Sequence, residues 1–210
     1  LAEFYKVLKS GNLYKGSKPV YWCPDCATAL AEAEIEYADN VSHSIYVKFA
    51  FAKESLTKLG IKEPMSAVIW TTTPWTLPAN MGISAHPDEN YSVMRVDESE
   101  SENLKPGELL LVGQPLTNDA AAEGKPLREK LKISKWTEIK VIPAKDLDKL
   151  YAIHPFYETR QSLMMLGEHV LMTDGTGLVH TAPGHGQEDY VVSQKYGLET
   201  FNPVDDYGVL

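Results

Sequence analysis

Three consecutive hydroxyls close a short apolar run in the stretch Val68-Ile69-Trp70-Thr71-Thr72-Thr73-Pro74-Trp75-Thr76-Leu77-Pro78-Ala79-Asn80. Along an extended chain Thr71 and Thr73 face one side and Thr72 the other. Two prolines then stop the strand and stiffen the chain beyond it. Neutral donors and acceptors packed this densely suit a site that holds a water molecule and an ester. They supply no strong nucleophile. A β-favouring run of threonines closed by a proline turn accounts for the same residues equally well.

A second stretch, Gly175-Thr176-Gly177-Leu178-Val179-His180-Thr181-Ala182-Pro183-Gly184-His185-Gly186-Gln187-Glu188-Asp189-Tyr190, reads as a turn, a short strand, a glycine-rich loop and the start of a helix. Asp189 falls in the first helical turn. There the helix dipole favours a carboxylate by about 0.3–1 kcal/mol, and the same carboxylate could serve as counter-ion to an ammonium group. His180 ends the strand. A lone histidine on an apolar strand is usually structural, but it could also act as a general base near neutral pH. His185 lies between two glycines, which permit either a tight turn or close approach to a ligand. Trp70 and Trp75 flank the threonines, and either could stack on a base or pack in the core. His43, His86, His154 and His169 have no metal-binding spacing among themselves.

These two stretches, together with Lys18-Pro19-Val20-Tyr21-Trp22-Cys23 and Ala29-Leu30-Ala31-Glu32-Ala33-Glu34-Ile35-Glu36-Tyr37, resemble the editing domain of isoleucyl-tRNA synthetases. That domain is the CP1 insertion shared by the isoleucyl, valyl and leucyl enzymes of class I. The resemblance covers nearly the whole chain, and it is specific. Valyl and leucyl enzymes typically carry arginine where this chain has Thr73.

The resemblance implies hydrolysis of the ester that joins mischarged valine to the 3′-terminal adenosine of tRNA(Ile). It implies that Asp189 fixes the α-amino group, that Thr71, Thr72 and Thr73 position water and ester, and that His180 limits side-chain size. Trp70, Thr76 and Asn80 become substrate-binding candidates, the last two holding the threonine loop or the ribose. Asn80 could instead satisfy a turn. No metal or organic cofactor is needed. The partners are the tRNA 3′ end and the rest of the parent synthetase, and the expected setting is a cytoplasmic monomeric fragment without its synthetic site. The HIGH and KMSKS signatures of the synthetic site are absent from the sequence. A non-catalytic RNA-binding β-barrel is the alternative from a different class.

Composition bounds these readings. The chain has 210 residues and 43% hydrophobic content, enough for one domain with a real core. No apolar run reaches the length of a membrane span, and the chain reads as a piece of a larger protein. Its 29 acidic and 20 basic residues give a net charge of −9, which argues against tight binding of a whole tRNA by this chain alone. The acids gather in predicted loops such as Asp97-Glu98-Ser99-Glu100-Ser101-Glu102, a solvated run. The two cysteines form Cys23-Pro24-Asp25-Cys26, half of a tetrahedral zinc site with no second pair in the chain. Reduced, metal-free thiols in a connector are therefore expected. In some members of the resembled family a matching pair lies downstream of the editing insertion.

The elements that must carry the site are mostly strands. Residues 1–33 read as a connector, opening with a helix over Ala2 to Lys9 and continuing with a strand at Val20 to Trp22. Residues 34–210 read as the editing domain. In Ser44 to Phe51, Ile45, Val47, Phe49 and Phe51 share one face, the period of a half-buried strand. Further strands are predicted at Ala67 to Thr72, Tyr91 to Val96, Glu108 to Val112, Ile139 to Ile142, Ser162 to Leu166, His169 to Met172 and Gly177 to Thr181. Asp174 to Gly177 reads as a hairpin-type turn. Helices are predicted at Lys53 to Leu59, Asn118 to Lys132 with a break near Gly124-Lys125-Pro126, Ala144 to Leu150, and Gln187 to Tyr196 capped by Gly197. Together these elements predict a β-rich α+β fold, a β-barrel core with peripheral helices.

Overall fold

The computed structural model describes residues 1–122 and 124–210. The N-terminal helix α1 spans Ala2–Lys9, as its apolar spacing predicts, and buries none of its residues. Strands β1 (Trp22–Cys23) and β2 (Thr28–Ala29) form a small antiparallel hairpin around the cysteine turn. A hydrogen bond of 2.8 Å from Trp22 Nε1 to the Asp206 carbonyl ties this hairpin to the C-terminal stretch.

The body continues as β3 (Ile45–Ala50), α2 (Lys53–Leu59), β4 (Met65–Thr71), β5 (Gly82–Ala85), β6 (Asn90–Ser99) and β7 (Leu109–Gly113). After these come α3 (Leu127–Lys130), β8 (Ile133–Pro143), α4 (Ala144–Leu147), β9 (Tyr151–Ile153), β10 (Gln161–Leu166), β11 (Leu178–Thr181) and α5 (Gln187–Lys195). Five strands make one sheet in the order β3-β4-β7-β6-β8, and four make another in the order β11-β5-β10-β9. A single bridge from Phe51 to Ala152 links the edges of the two sheets. Among the described residues no strand pairing closes them into a ring, so the architecture is mixed α+β with two open sheets.

The main core lies where the inner faces meet, with Phe49, Ile69, Ile83, Tyr91, Leu111 and Met164 fully buried. Leu110 and Val112 point the other way and are equally buried, against Val68, Met94, Leu127 and Ile133. The five-stranded sheet is thus covered on both faces here, which is why Leu109 to Val112 is continuously apolar rather than alternating. α5 packs on the far face of β10 through Val192, against Leu163 and Met165. The Tyr196 hydroxyl anchors the end of this helix, donating to Asp148 Oδ1 at 2.6 Å and accepting from the Leu166 amide at 2.9 Å.

Several expectations need correction. His169 to Met172 is not a strand. It is a turn and irregular chain, with Val170 alone buried among its apolar residues and Leu171 largely exposed. The turn at Asp174 to Gly177 does not close a hairpin, because β10 and β11 do not pair. Both flank β5, parallel and antiparallel respectively. The helix expected over Asn118 to Lys132 reduces to a 3₁₀ turn at Asp119–Ala121 and the four residues of α3, and its position 123 lies outside the described residues. Pro126 immediately precedes α3, and Gly124 has φ +93°, outside the helical range. The helix from Ala144 stops at Leu147, and the strand expected at Val20 to Trp22 covers only Trp22–Cys23.

Candidate active site

β4 ends at Thr71, and its chain enters a 3₁₀ helix at Pro74–Ala79. Proline suits this first helical position because its missing N–H would be unpaired there and its φ is already fixed. Between the two, the threonines organise themselves. The Thr73 amide donates to Thr71 Oγ1 at 3.1 Å, and the two hydroxyls lie 3.3 Å apart. The Thr73 carbonyl accepts from the Thr76 hydroxyl at 2.8 Å. Thr71 is buried, whereas Thr72 and Thr73 are exposed.

β11 approaches from the opposite sheet. Its antiparallel register on β5 sets His180 opposite Ile83, and the imidazole reaches the threonine loop. His180 Nε2 lies 2.8 Å from Thr76 Oγ1, and Nδ1 lies 3.0 Å from Asn80 Nδ2. The Asn80 amide nitrogen also donates to the Gly82 carbonyl at 2.8 Å. A carbonyl can only accept, so the orientation of the amide is fixed, and Nδ1 must accept from it. The proton of neutral His180 then sits on Nε2 and points to Thr76. Asn80 Oδ1 accepts from the Ser162 hydroxyl at 2.6 Å. A continuous relay therefore runs from Ser162 through Asn80, His180 and Thr76 to the Thr73 carbonyl, and neither ring nitrogen keeps a free lone pair.

Burial holds His180 well below the ordinary histidine value, at about 4, and the neighbouring His185 and His154 push the same way. Geometry adds to this, because a proton on Nδ1 would face the Asn80 amide hydrogens. The consequence for stability has a definite sign. The unfolded chain takes up a proton near pH 6.5 and the folded chain only near pH 4. Stability should therefore be complete above pH 6.5 and fall as pH drops through that window, by about 3 kcal/mol from this one group. Burial also depresses His154, His169 and His185, so they act in the same direction. Asp189, pushed up by burial, acts oppositely. Urea midpoints measured between pH 7 and pH 4 should show a marked decline that is shallower in His180→Gln, and a flat wild-type profile would contradict it.

Past β11, Ala182 and Pro183 turn the chain into a glycine-rich loop and then α5. Gly184 needs to be bare, since a Cβ there would lie 2.8 Å from the Phe201 carbonyl oxygen. Asp189, in the first turn of α5, folds back so that its Oδ1 accepts from the Ala182 amide at 2.9 Å. Its Oδ2 occupies the space that a Cβ on Gly186 would take. Burial raises the Asp189 carboxyl above the usual range, with the Ala182 amide and His169 opposing that rise. Among the described residues none of the ion pairs includes Asp189. The result is a poorly solvated carboxylate without a cation.

These parts surround one pocket of about 270 Å³, lined by Trp70, Thr71, Thr72, Thr73 and Thr76 on one side and by Val179, His180, Ala182, His185 and Asp189 on the other. Of the eight residues singled out from sequence, seven line it. Asn80 does not. It is fully buried behind His180 and acts on the ring from there. Trp75 stands outside the lining and is 57% exposed. The sequence gives Ser162 no role and leaves His185 and its flanking glycines open between a tight turn and a ligand contact. Only the two glycines around His185 hinted that this loop approaches something closely. Among the described residues no group of three or more His, Cys, Asp or Glu side chains is placed to hold a metal, and Cys23 and Cys26 form no disulfide.

Comparison with known proteins places this geometry in a family. Residues 1–192 match the family described as tRNA synthetases class I (I, L, M and V). The isoleucine–tRNA ligase of Thermoanaerobacter sp. strain X514 is 46% identical over 209 residues, covering 98% of this chain and 20% of that protein. The isoleucine–tRNA ligase of Bacillus cytotoxicus is 46% identical over 210 residues, covering 99% of this chain and again 20% of that protein. The chain thus spans about a fifth of the length of the curated relatives it matches. Among solved structures, the crystal structure of GlLeuRS-CP1 is similar with a TM-score of 0.53 at 16% identity, over 80% of this chain and 70% of that one. The P. knowlesi cytosolic leucyl-tRNA synthetase editing domain gives 0.52 at 11% identity, over 76% and 66%. The chain belongs to the class I tRNA synthetases, is homologous to their isoleucine–tRNA ligases, and has the fold of CP1 editing domains.

Proposed function

We propose that this chain hydrolyses the ester joining mischarged valine to the 3′-terminal adenosine of tRNA(Ile). The observation that carries the reading is the pocket itself, where an unpaired, poorly solvated Asp189 carboxylate faces a cluster of neutral hydroxyls beside a locked imidazole. Such a carboxylate gains most from a cation that arrives with its own substrate, and an α-ammonium group is that cation. A volume of about 270 Å³ lies at the small end of ligand pockets and suits an aminoacyl group rather than a whole nucleotide.

In this mechanism Asp189 holds the ammonium group, and the hydroxyls of Thr71, Thr72 and Thr73 orient a water molecule and the ester. Water adds to the ester carbonyl carbon and the bond to the ribose oxygen breaks. The water proton ends on that oxygen, releasing valine and intact tRNA. Threonine hydroxyls are poor bases and both His180 nitrogens are engaged, so the adjacent free ribose hydroxyl is the group that relays the proton. Placement and preorganised dipoles then supply most of the rate gain. His180 forms the wall that excludes isoleucine. A second, hydrolytic sieve answers a general problem, since one methylene is worth only about 1–3 kcal/mol in a synthetic pocket, isoleucine against valine being the standard instance.

On this reading residues 34–210 are the hydrolytic body and 1–33 the connector to the rest of a cytoplasmic synthetase. The chain works as a monomer on a tRNA end delivered by the parent. The direct test is hydrolysis of Val-tRNA(Ile) by the purified chain. An RNA-binding module without catalysis would bind the tRNA end and leave the ester intact.

Gly186 provides a further check. Its φ of −170° is extended backbone that any residue adopts, so alanine there strains nothing by conformation. The added Cβ would instead displace the Asp189 carboxylate. Gly186→Ala should lower kcat/KM for the valyl ester about as far as loss of the carboxylate does, at least tenfold, with an unchanged circular dichroism spectrum. Full activity in Gly186→Ala would mean that the position of the carboxylate is unimportant.

A further inference from the structure

We propose that Arg160, which does not line the ester pocket, is a positioning residue that fixes the spacing of the pocket's two walls and so its selectivity for the smaller amino acid. The inference rests on the hydrolytic reading above and adds to it what keeps the walls from yielding.

The threonine wall is held by the chain between β9 and β10. The Leu77 carbonyl, in the 3₁₀ helix at Pro74–Ala79, lies 2.9 Å from His154 Nε2. His154 Nδ1 accepts from the Phe156 amide at 3.1 Å, so the neutral ring carries its proton on Nε2 and donates it to that carbonyl. The Pro78 carbonyl accepts from Arg160 Nη1 at 2.6 Å. Ser162, two residues further along, donates to Asn80 Oδ1. One short stretch, His154 to Ser162, therefore grips Leu77, Pro78 and Asn80.

Arg160 also reaches the opposite wall. Its guanidinium carbon lies 4.7 Å from the centroid of the Tyr157 ring and 4.9 Å from that of Phe201. A planar cation on aromatic faces is a stiff contact, and among the described residues none of the ion pairs draws Arg160 elsewhere. Phe201 follows α5, and its carbonyl oxygen packs against Gly184 so closely that a Cβ there would lie 2.8 Å from it. Gly184 stands between Ala182 and His185, both of which line the pocket. Pro78, Arg160, Phe201 and Gly184 thus join one wall to the other without passing through His180. His180 can reject a methylene only if the facing wall does not give way, and this chain of contacts supplies that resistance.

The test measures hydrolysis of Val-tRNA(Ile) and Ile-tRNA(Ile) by the same preparations. Arg160→Ala should hydrolyse the isoleucyl ester about tenfold faster than wild type does, since partial release of the exclusion recovers part of what one methylene is worth. Lost folding cannot produce such a gain. Phe201→Leu keeps apolar bulk and the Pro78 hydrogen bond but removes the flat ring, and it should show the same gain even if Arg160→Ala fails to fold. The double variant should gain no more than the larger single effect, because both changes cut one chain of contacts. Variants that spare the isoleucyl ester as wild type does, or gains that multiply in the double variant, overturn the proposal and leave the hydrolytic reading standing. A wild-type chain inert toward the valyl ester overturns both.

Discussion

Asp189→Ala should cut hydrolysis of Val-tRNA(Ile) at least tenfold and leave the fold intact. Two different terms set these two outcomes. For catalysis, the carboxylate is the only acidic group lining the pocket among the described residues, and its burial makes it gain from pairing with an ammonium ion. Losing a charge-assisted contact of about 1.5–3 kcal/mol corresponds to roughly 10- to 150-fold in kcat/KM. For stability, the same burial means that the ionised carboxylate is a burden on the empty chain. What it gives back is one hydrogen bond to the Ala182 amide. Alanine there removes the burden but leaves the buried Ala182 amide without its acceptor, two opposing effects that should change stability little. The measurement is kcat/KM for the valyl ester beside a urea midpoint for the same preparation. A folded Asp189→Ala chain with wild-type turnover would take the carboxylate out of the mechanism.

His180→Ala should change which ester is cut. A pocket that spares isoleucine needs a surface that the extra methylene strikes, and His180 is the bulkiest side chain held rigidly at the strand end, through Asn80 and Thr76. Alanine there opens the pocket, so Ile-tRNA(Ile) hydrolysis should rise from background to a rate within about tenfold of that for the valyl ester. Valyl cleavage should persist in part, because the hydroxyls and Asp189 remain, although the Thr76 and Asn80 groups lose their partner. The competing possibility is that His180 is a base. Its lone pair on Nδ1 is occupied by Asn80 and its Nε2 carries the proton, so that role would require the relay to break. Both deacylation rates on the one variant decide the matter, since loss of both activities in a folded chain would be the signature of a base.

The parts of the site that were legible in sequence share a physical trait: each is marked by its own composition. Three adjacent hydroxyls before a proline, and a carboxylate just inside a helix start, stand out without any tertiary context. β3 was legible for the same reason, since its alternation from Ile45 to Phe51 reflects one face turned to the core. β5 escaped notice, though it is the strand that sets the site. Gly82, Ile83, Ser84 and Ala85 are all buried, so they show no alternation, and the three small residues around Ile83 have little strand propensity of their own. Ser162 escaped for a related reason. A serine in a strand is unremarked until Asn80, distant in sequence, is seen to accept from it. The helix expected from Asn118 failed in the opposite way. The alanines there favour a helix, but Gly124 and Pro126 divide the segment into pieces too short to sustain one.

The relay through His180 also bears on how this pocket can evolve. Its five members hand hydrogen atoms in one direction, each filling the vacancy of the next, from the Ser162 hydroxyl at one end to the Thr73 carbonyl at the other. A drift to another residue at Asn80 or His180 strands an unmatched donor or acceptor in buried surroundings, whereas the Thr76 end of the relay borders the open pocket. Substitutions at positions 76, 80 and 180 should then be strongly non-additive, each tolerated chiefly against a matching background. Val179 and Ala182 line the same pocket by their bulk, outside this chain of donors, and can vary one at a time. Adjustment of the cavity to a new amino acid would therefore proceed most readily at those two positions, while the wall at 180 stays fixed by its neighbours.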